Sequence, residues 1–181
     1  MAKNFITIKE DSYDEFVEKK STFITHLIRI NSEEEARDFI QKMKKKHYDA
    51  THVCSCYVVG DNNEITRAND DGEPSNTAGK PMAEILNILD VYNVALVATR
   101  YFGGVKLGAG GLIRNYAKTA KLAVNQAEII EYRERIIFIL DYDYAMTSEV
   151  EAFLNKNFVR IIEQNYLDRI SLKIEVDKDL E

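Results

Sequence analysis

The chain has 181 residues, of which 45% are hydrophobic and 30% charged, with a formal net charge of −6 and two cysteines. These values describe a soluble globular chain of one domain or two small ones. They exclude a disulfide framework and a membrane-spanning helix, and they argue against indiscriminate nucleic-acid binding while leaving a local basic patch open. Met1-Ala2-Lys3-Asn4 opens no signal-peptide apolar region, so a cytoplasmic protein is expected.

Phe5–Lys9 and Phe16–Ile30 are rich in β-formers and read as two strands separated by Glu10-Asp11-Ser12. Ser32 with Glu35 forms a capping box, and Ala36, Phe39, Ile40 and Met43 recur at helical spacing, predicting a helix over Glu33–Lys46. Its closing lysines suit the negative end of the helix dipole. Thr51–Val59 reads as a strand, turned at Gly60-Asp61-Asn62-Asn63 into another that ends near Asn69. Pro81 suits the first position of a helix through Met82, Ile85, Leu86 and Leu89. Val94–Thr99 is a continuous apolar strand, expected to be buried on both faces. A loop over Arg100–Gly111 leads to a helix over Leu112–Ala127, with Ile113, Tyr116 or Ala117, Ala120 and Val124 on its apolar side.

The composition changes near Glu131. Arg133–Asp141 reads as a strand, Ser148 and Glu151 as a second capping box opening a short helix, and Phe158–Gln164 with Arg169–Val176 as a hairpin around Tyr166-Leu167-Asp168. The fold class is α+β, with one domain over residues 1–131 and a second over 132–181. The second reads as β-α-β-β and then stops. An unfinished unit leaves a free sheet edge, so self-association or disorder is expected after about Arg133.

Seven of the eight glycines and both prolines lie between Asn69 and Tyr116. Gly103-Gly104-Val105-Lys106-Leu107-Gly108-Ala109-Gly110-Gly111 follows a strand and precedes a helix, where amide groups reached through glycines form an anion site. It is neither a Walker loop nor a dinucleotide fingerprint. A tight connection in which only glycine fits explains the same residues. Between Arg100 and Ala127 there is no Asp or Glu, whereas Arg100, Lys106, Arg114, Lys118 and Lys121 are basic. Arg114, Lys118 and Lys121 share one helical face, which is either a solvated surface or a binding stripe. Together with Gly108, Gly110 and Gly111 these residues are the candidate anion-binding set.

Asp70, Asp71 and Glu73 admit three readings: carboxylates that lock onto Arg100 or Lys106, ligands of a hard cation, or an acid–base pair. His52, Cys54 and Cys56 alternate along one strand face, but no fourth Cys or His completes a zinc site, so a core face is expected and no metal or cofactor is assigned.

Lys20-Ser21-Thr22-Phe23-Ile24, His52-Val53-Cys54, Asn69–Met82 and Thr99–Tyr116 together resemble the IMPACT family, in its bacterial YigZ-like branch. The resemblance covers nearly the whole chain. It implies a first domain with the fold of ribosomal protein S5 domain 2 and a second, ferredoxin-like domain, a pair similar to the last two domains of the translocation elongation factor. Eukaryotic relatives regulate translation by competing for a protein that activates an initiation-factor kinase, partly through an additional N-terminal domain. Three positions depart from the family pattern: Thr22 replaces a basic residue, Asn76 a glycine and Cys56 a smaller residue. Asn76 suits left-handed backbone. A ferredoxin-like domain needs β-α-β-β-α-β, and Leu180-Glu181 reads as a cloning remnant.

The resemblance and the charge pattern imply a non-enzymatic, translation-associated regulator that binds RNA, the ribosome or an anionic protein partner through the Gly-rich loop and basic helix. The alternative is an enzyme acting on a phosphorylated small molecule, with a metal held by Asp70, Asp71 or Glu73.

Overall fold

The structure is a computed structural model that describes residues 4–61 and 63–178. Asn62 of the predicted turn, Met1–Lys3 and Leu180-Glu181 lie outside the described residues. The chain forms two compact units, one holding Phe5–Tyr132 and the other Asn4 with the described residues from Arg133 onwards.

The first unit is built on a five-stranded sheet. Its strands are β2 (Ser12–Glu18), β3 (Ser21–Arg29), β4 (His52–Val59), β5 (Ile65–Asn69) and β6 (Val94–Tyr101), in the order β2-β3-β6-β4-β5 with every neighbour antiparallel. β6 lies in the middle and is buried on both faces, as its unbroken apolar run predicts. One face packs on α2 (Gly79–Ile88) and α3 (Ala109–Ala127), where Phe23, Leu27, Cys54, Val58 and Leu96 meet Met82, Leu86, Leu112 and Tyr116. The other packs on α1 (Glu33–Lys46) through Ala36, Phe39 and Met43 against Val53, Tyr57 and Val97. The alternation of side chains along β4 and β6 serves both cores from the same strands. β1 (Asn4–Ile8) pairs with β7 (Ile129–Arg133) in a two-stranded sheet.

Local chemistry accounts for the helix ends. Ser32 accepts the Glu35 amide at 3.2 Å, and Glu35 accepts the Asn31 amide at 2.8 Å, which fixes the start of α1. Pro81 is the third residue of α2 rather than the first; the first turn tolerates it because its missing N–H would have no partner there. The predicted strand over Phe16–Ile30 is in fact a hairpin. It breaks at Lys19 and Lys20, whose φ angles of 45° and 67° place two lysines in the left-handed region. α3 begins at Ala109, so Gly110 and Gly111 form its first turn, and Leu112 is buried while Ile113 is exposed.

The second unit contains β8 (Arg135–Tyr142), α4 (Thr147–Lys156), β9 (Arg160–Tyr166) and β10 (Ile170–Asp177), in the sheet order β8-β10-β9. Tyr142, Leu154, Ile170, Leu172 and Ile174 form its core. The predicted capping box does not form: a 3-10 turn at Tyr144–Met146 runs into α4, and Ser148 sits inside the helix. Thr147 instead donates to the Tyr144 carbonyl at 2.7 Å. Among the described residues no strand follows β10, and no helix is long and apolar enough to cross a membrane.

Candidate anion-binding surface

The acidic loop is held from several directions. Glu73 is buried at the end of β6, where its Oε1 accepts Arg100 Nε at 2.5 Å and the Tyr116 hydroxyl at 2.8 Å. His52 Nε2 lies 3.7 Å from the other carboxylate oxygen. Burial pushes the Tyr116 phenol up, keeping it a donor. The Cys54 thiol, pushed up to about 12 by burial, lies 3.0 Å from the Asp70 carbonyl and 3.4 Å from the Tyr116 hydroxyl.

Asp70 caps a helix. Its carboxylate accepts the amides of Asn76 at 2.7 Å, Ala78 at 3.0 Å and Gly79 at 2.8 Å, satisfying the start of α2, which has no cap of its own. This geometry needs left-handed backbone at Asn76, whose φ is 61°. Asp71 accepts Lys44 at 2.5 Å and the Val53 amide at 2.8 Å. Burial alone would raise its pKa, but these hydrogen bonds, with the charges of Lys44 and His52, hold it below the usual carboxylate value.

These contacts correct two expectations. Arg100 belongs to β6, not to a loop, and its buried guanidinium is committed to Glu73, so it leaves the set available to a partner. Asp70, Asp71 and Glu73 face three different partners and do not converge. Among the described residues, no group of three or more His, Cys, Asp and Glu is placed to hold a metal ion. His52 and Cys54 point toward the acidic loop, while Cys56 is buried in the core beside α2 and α3.

The Gly-rich loop is open where the acidic loop is closed. Gly104 and Gly108 adopt φ of 86° and 72°, and a Cβ on either would meet nothing within 4 Å. Gly111 is packed against Leu107, whose side chain would lie 3.1 Å from an added Cβ. Gly108 occupies the N-cap of α3 with no side-chain cap, and no acidic residue sits in the first turn. The helix therefore presents unsatisfied amides and the positive end of its dipole. Lys106, Arg114, Lys118 and Lys121 are exposed around and below this point. The Arg114 guanidinium folds back over Gly110, 3.5 Å from where a Cβ would be. Lys118 Nζ rests 4.1 Å from the centre of the Phe16 ring.

Two residues join this surface that the sequence reading left inside a strand. An added Cβ on Gly103 would fall 1.8 Å from the carbonyl oxygen of Lys20, so the Lys19-Lys20 turn packs directly on the Gly-rich loop. The Gly103 amide donates to Ser21 Oγ at 3.3 Å. Both lysines are exposed. Their signal in the sequence is weak, because Lys-Lys is not a turn dipeptide.

A five-stranded antiparallel sheet with helices on both faces, joined in sequence to a small β-α-β-β unit, makes this a two-unit mixed α/β protein. Residues 19–124 match the model of the Impact N-terminal domain. IMPACT family member YvyE of Bacillus subtilis is 43% identical over 98% of this chain and 82% of its own length. IMPACT family member YigZ of Escherichia coli is 34% identical over 86% of this chain and 78% of its own. The chain belongs to the IMPACT family. A crystal structure of a hypothetical protein, 29% identical, matches 99% of this chain and 88% of its own with a TM-score of 0.70.

Proposed function

We propose that the protein is a non-enzymatic, translation-associated binding protein that takes an anionic partner, RNA or the ribosome first, on the surface formed by Lys106, Gly108, Gly110, Arg114, Lys118 and Lys121, with Lys19 and Lys20 at its margin. Family membership supports the link to translation. The observation that carries the binding mode is the uncapped start of α3, reached through open glycines and surrounded by exposed cations with no acid in its first turn. Amides, dipole and side chains there all favour negative charge. In this reading the first unit is the S5 domain 2-like domain. The described elements of the second correspond to the first strand, helix and next two strands of a ferredoxin-like domain, a reading supported by the β8-β10-β9 order. A carboxylate-bound metal enzyme finds no support, because each acid of the acidic loop is already engaged.

Phosphate contacts would dominate binding, giving little sequence preference and a steep salt dependence. The test is co-sedimentation with RNA and with ribosomes at two salt concentrations, using the parent and a K118E/K121E variant. Both sites are exposed, so circular dichroism should show an unchanged fold. The expected result is binding by the parent that weakens with salt and disappears in the variant. Equal binding by the folded variant would leave this face an ordinary solvated helix. No binding by the parent would remove RNA and the ribosome as partners.

A further inference from the structure

The end of β6 brings together two basic elements that lie far apart in the chain. α1 closes on Lys45 and Lys46, both exposed, and the loop that follows returns to β6. In that loop the Thr51 amide donates to the Arg100 carbonyl at 3.0 Å, and Thr51 Oγ1 accepts the Phe102 amide at 2.9 Å. His47 Nδ1 lies 3.0 Å from the Tyr101 hydroxyl, which donates to Asp49 at 3.2 Å. The lysines that close α1 and the Gly-rich loop therefore stand at the same end of one sheet. Asp49 is the only acid from Lys42 to Thr51, and it is engaged.

Two aromatic rings lie open among these cations. Phe102, the first residue after β6, is 45% exposed, with the Arg100 guanidinium carbon 5.6 Å from its ring centre. The buried guanidinium backs the ring from one side and fixes its place. Tyr48, two residues beyond α1, is 86% exposed. Cations alone suffice to hold phosphates, whereas open rings beside them offer platforms for the flat faces of bases. Resting on the function proposed above, we propose that the anionic partner is single-stranded RNA, with bases stacked on Phe102 and Tyr48. Its backbone passes from the α3 stripe across the end of the sheet to Lys45 and Lys46. In a duplex the bases stack on one another, and the A-form major groove is too deep and narrow for side chains, so neither ring gains a contact there. Every base has a face to stack, so sequence preference is small.

The experiment is fluorescence anisotropy with a labelled RNA strand of about 12 nucleotides, the DNA strand of the same sequence and the corresponding RNA duplex. The parent should bind the RNA strand at least about tenfold more tightly than the duplex, and no less tightly than the DNA. F102A and Y48A should each weaken strand binding about tenfold and leave duplex binding unchanged, whereas F102W and Y48F, which keep a ring, should restore it. K45E should weaken strand binding and lower its salt dependence. Circular dichroism checks each fold, and the solvent position of Tyr48 makes Y48A a test of stacking independent of packing. Equal affinity for strand and duplex, or unchanged binding in F102A and Y48A, overturns the single-strand proposal. If K118E/K121E still abolishes binding in that case, the anion-binding face of the proposed function stands. Preference for DNA overturns RNA as the ligand. Binding of no RNA form by the parent overturns both readings together.

Discussion

Glu73 and Arg100 form a buried ion pair, Nε to Oε1 at 2.5 Å, that ties the acidic loop to the end of the central strand. Tyr116 completes it from α3, so one carboxylate joins a loop, a strand and a helix. Removing one partner of such a pair leaves the other charged and desolvated. E73A is expected to lower stability by about 3–5 kcal/mol, measured by urea denaturation. E73L/R100M, which removes both charges, should cost clearly less. Equal losses in the two variants would mean that the pair adds nothing beyond packing.

Gly103 and Gly104 should respond differently to alanine. At Gly103 the new methyl would collide with the Lys20 backbone, so G103A should displace the β2–β3 turn and cost on the order of 2–3 kcal/mol. At Gly104 there is room, and only the positive φ is strained, so G104A should cost about 1 kcal/mol. Thermal or urea unfolding of the two variants side by side tests the ranking.

Lys20 holds φ at 67°, a conformation that asparagine or glycine adopts more easily. K20N is expected to raise stability by about 0.5–1 kcal/mol and to weaken binding of the anionic partner. A variant with unchanged stability would show that the neighbouring contacts absorb the strain.

His26 sits on the α1 face with Lys46 Nζ 3.2 Å from its Nε2 and the His47 ring at 5.7 Å. Burial, then the charges of Lys46 and His47, lower its pKa from 6.5 to about 4. Above pH 6.5 the imidazole is neutral in folded and unfolded chains alike, so it adds no pH dependence there. Below pH 6.5 the unfolded chain takes a proton that the folded chain refuses until near pH 4. Stability is therefore lost as pH falls through that window. Partial exposure limits the loss to about 1–2 kcal/mol. Denaturation at several pH values should show the slope, and H26Q should flatten it.

Much of this fold can be read in the sequence because the signals are local. The start of α1 follows from Ser32 and Glu35, and the buried course of β6 from six consecutive apolar or small residues. The basic face of α3 follows from spacing alone. Other features were hidden because they depend on distant partners. Of the acids the sequence offers to lock onto Arg100 or Lys106, only the structure singles out Glu73 on Arg100, 27 residues apart, and so takes Arg100 out of the anion-binding set. Asp70 fits the lock, the cation and the acid–base readings equally in the sequence, because the helix it caps begins eight residues downstream. The Lys19-Lys20 turn carries no turn residue; it is imposed by the pairing of β2 with β3 and by the space left at Gly103.

β6 is flanked by β3 and β4 along its length, and its alternate side chains belong to both apolar cores. Neither layer of helices can detach without stripping one face of the same strand. Residues 5–132 should accordingly melt as a single cooperative body, with the amides of Ala95 to Thr99 exchanging their hydrogens only in the globally unfolded chain. The loop and turn that frame the candidate binding surface rest against the end of this strand. They inherit a rigid footing while their own backbone, held by glycines and two lysines, stays open to exchange.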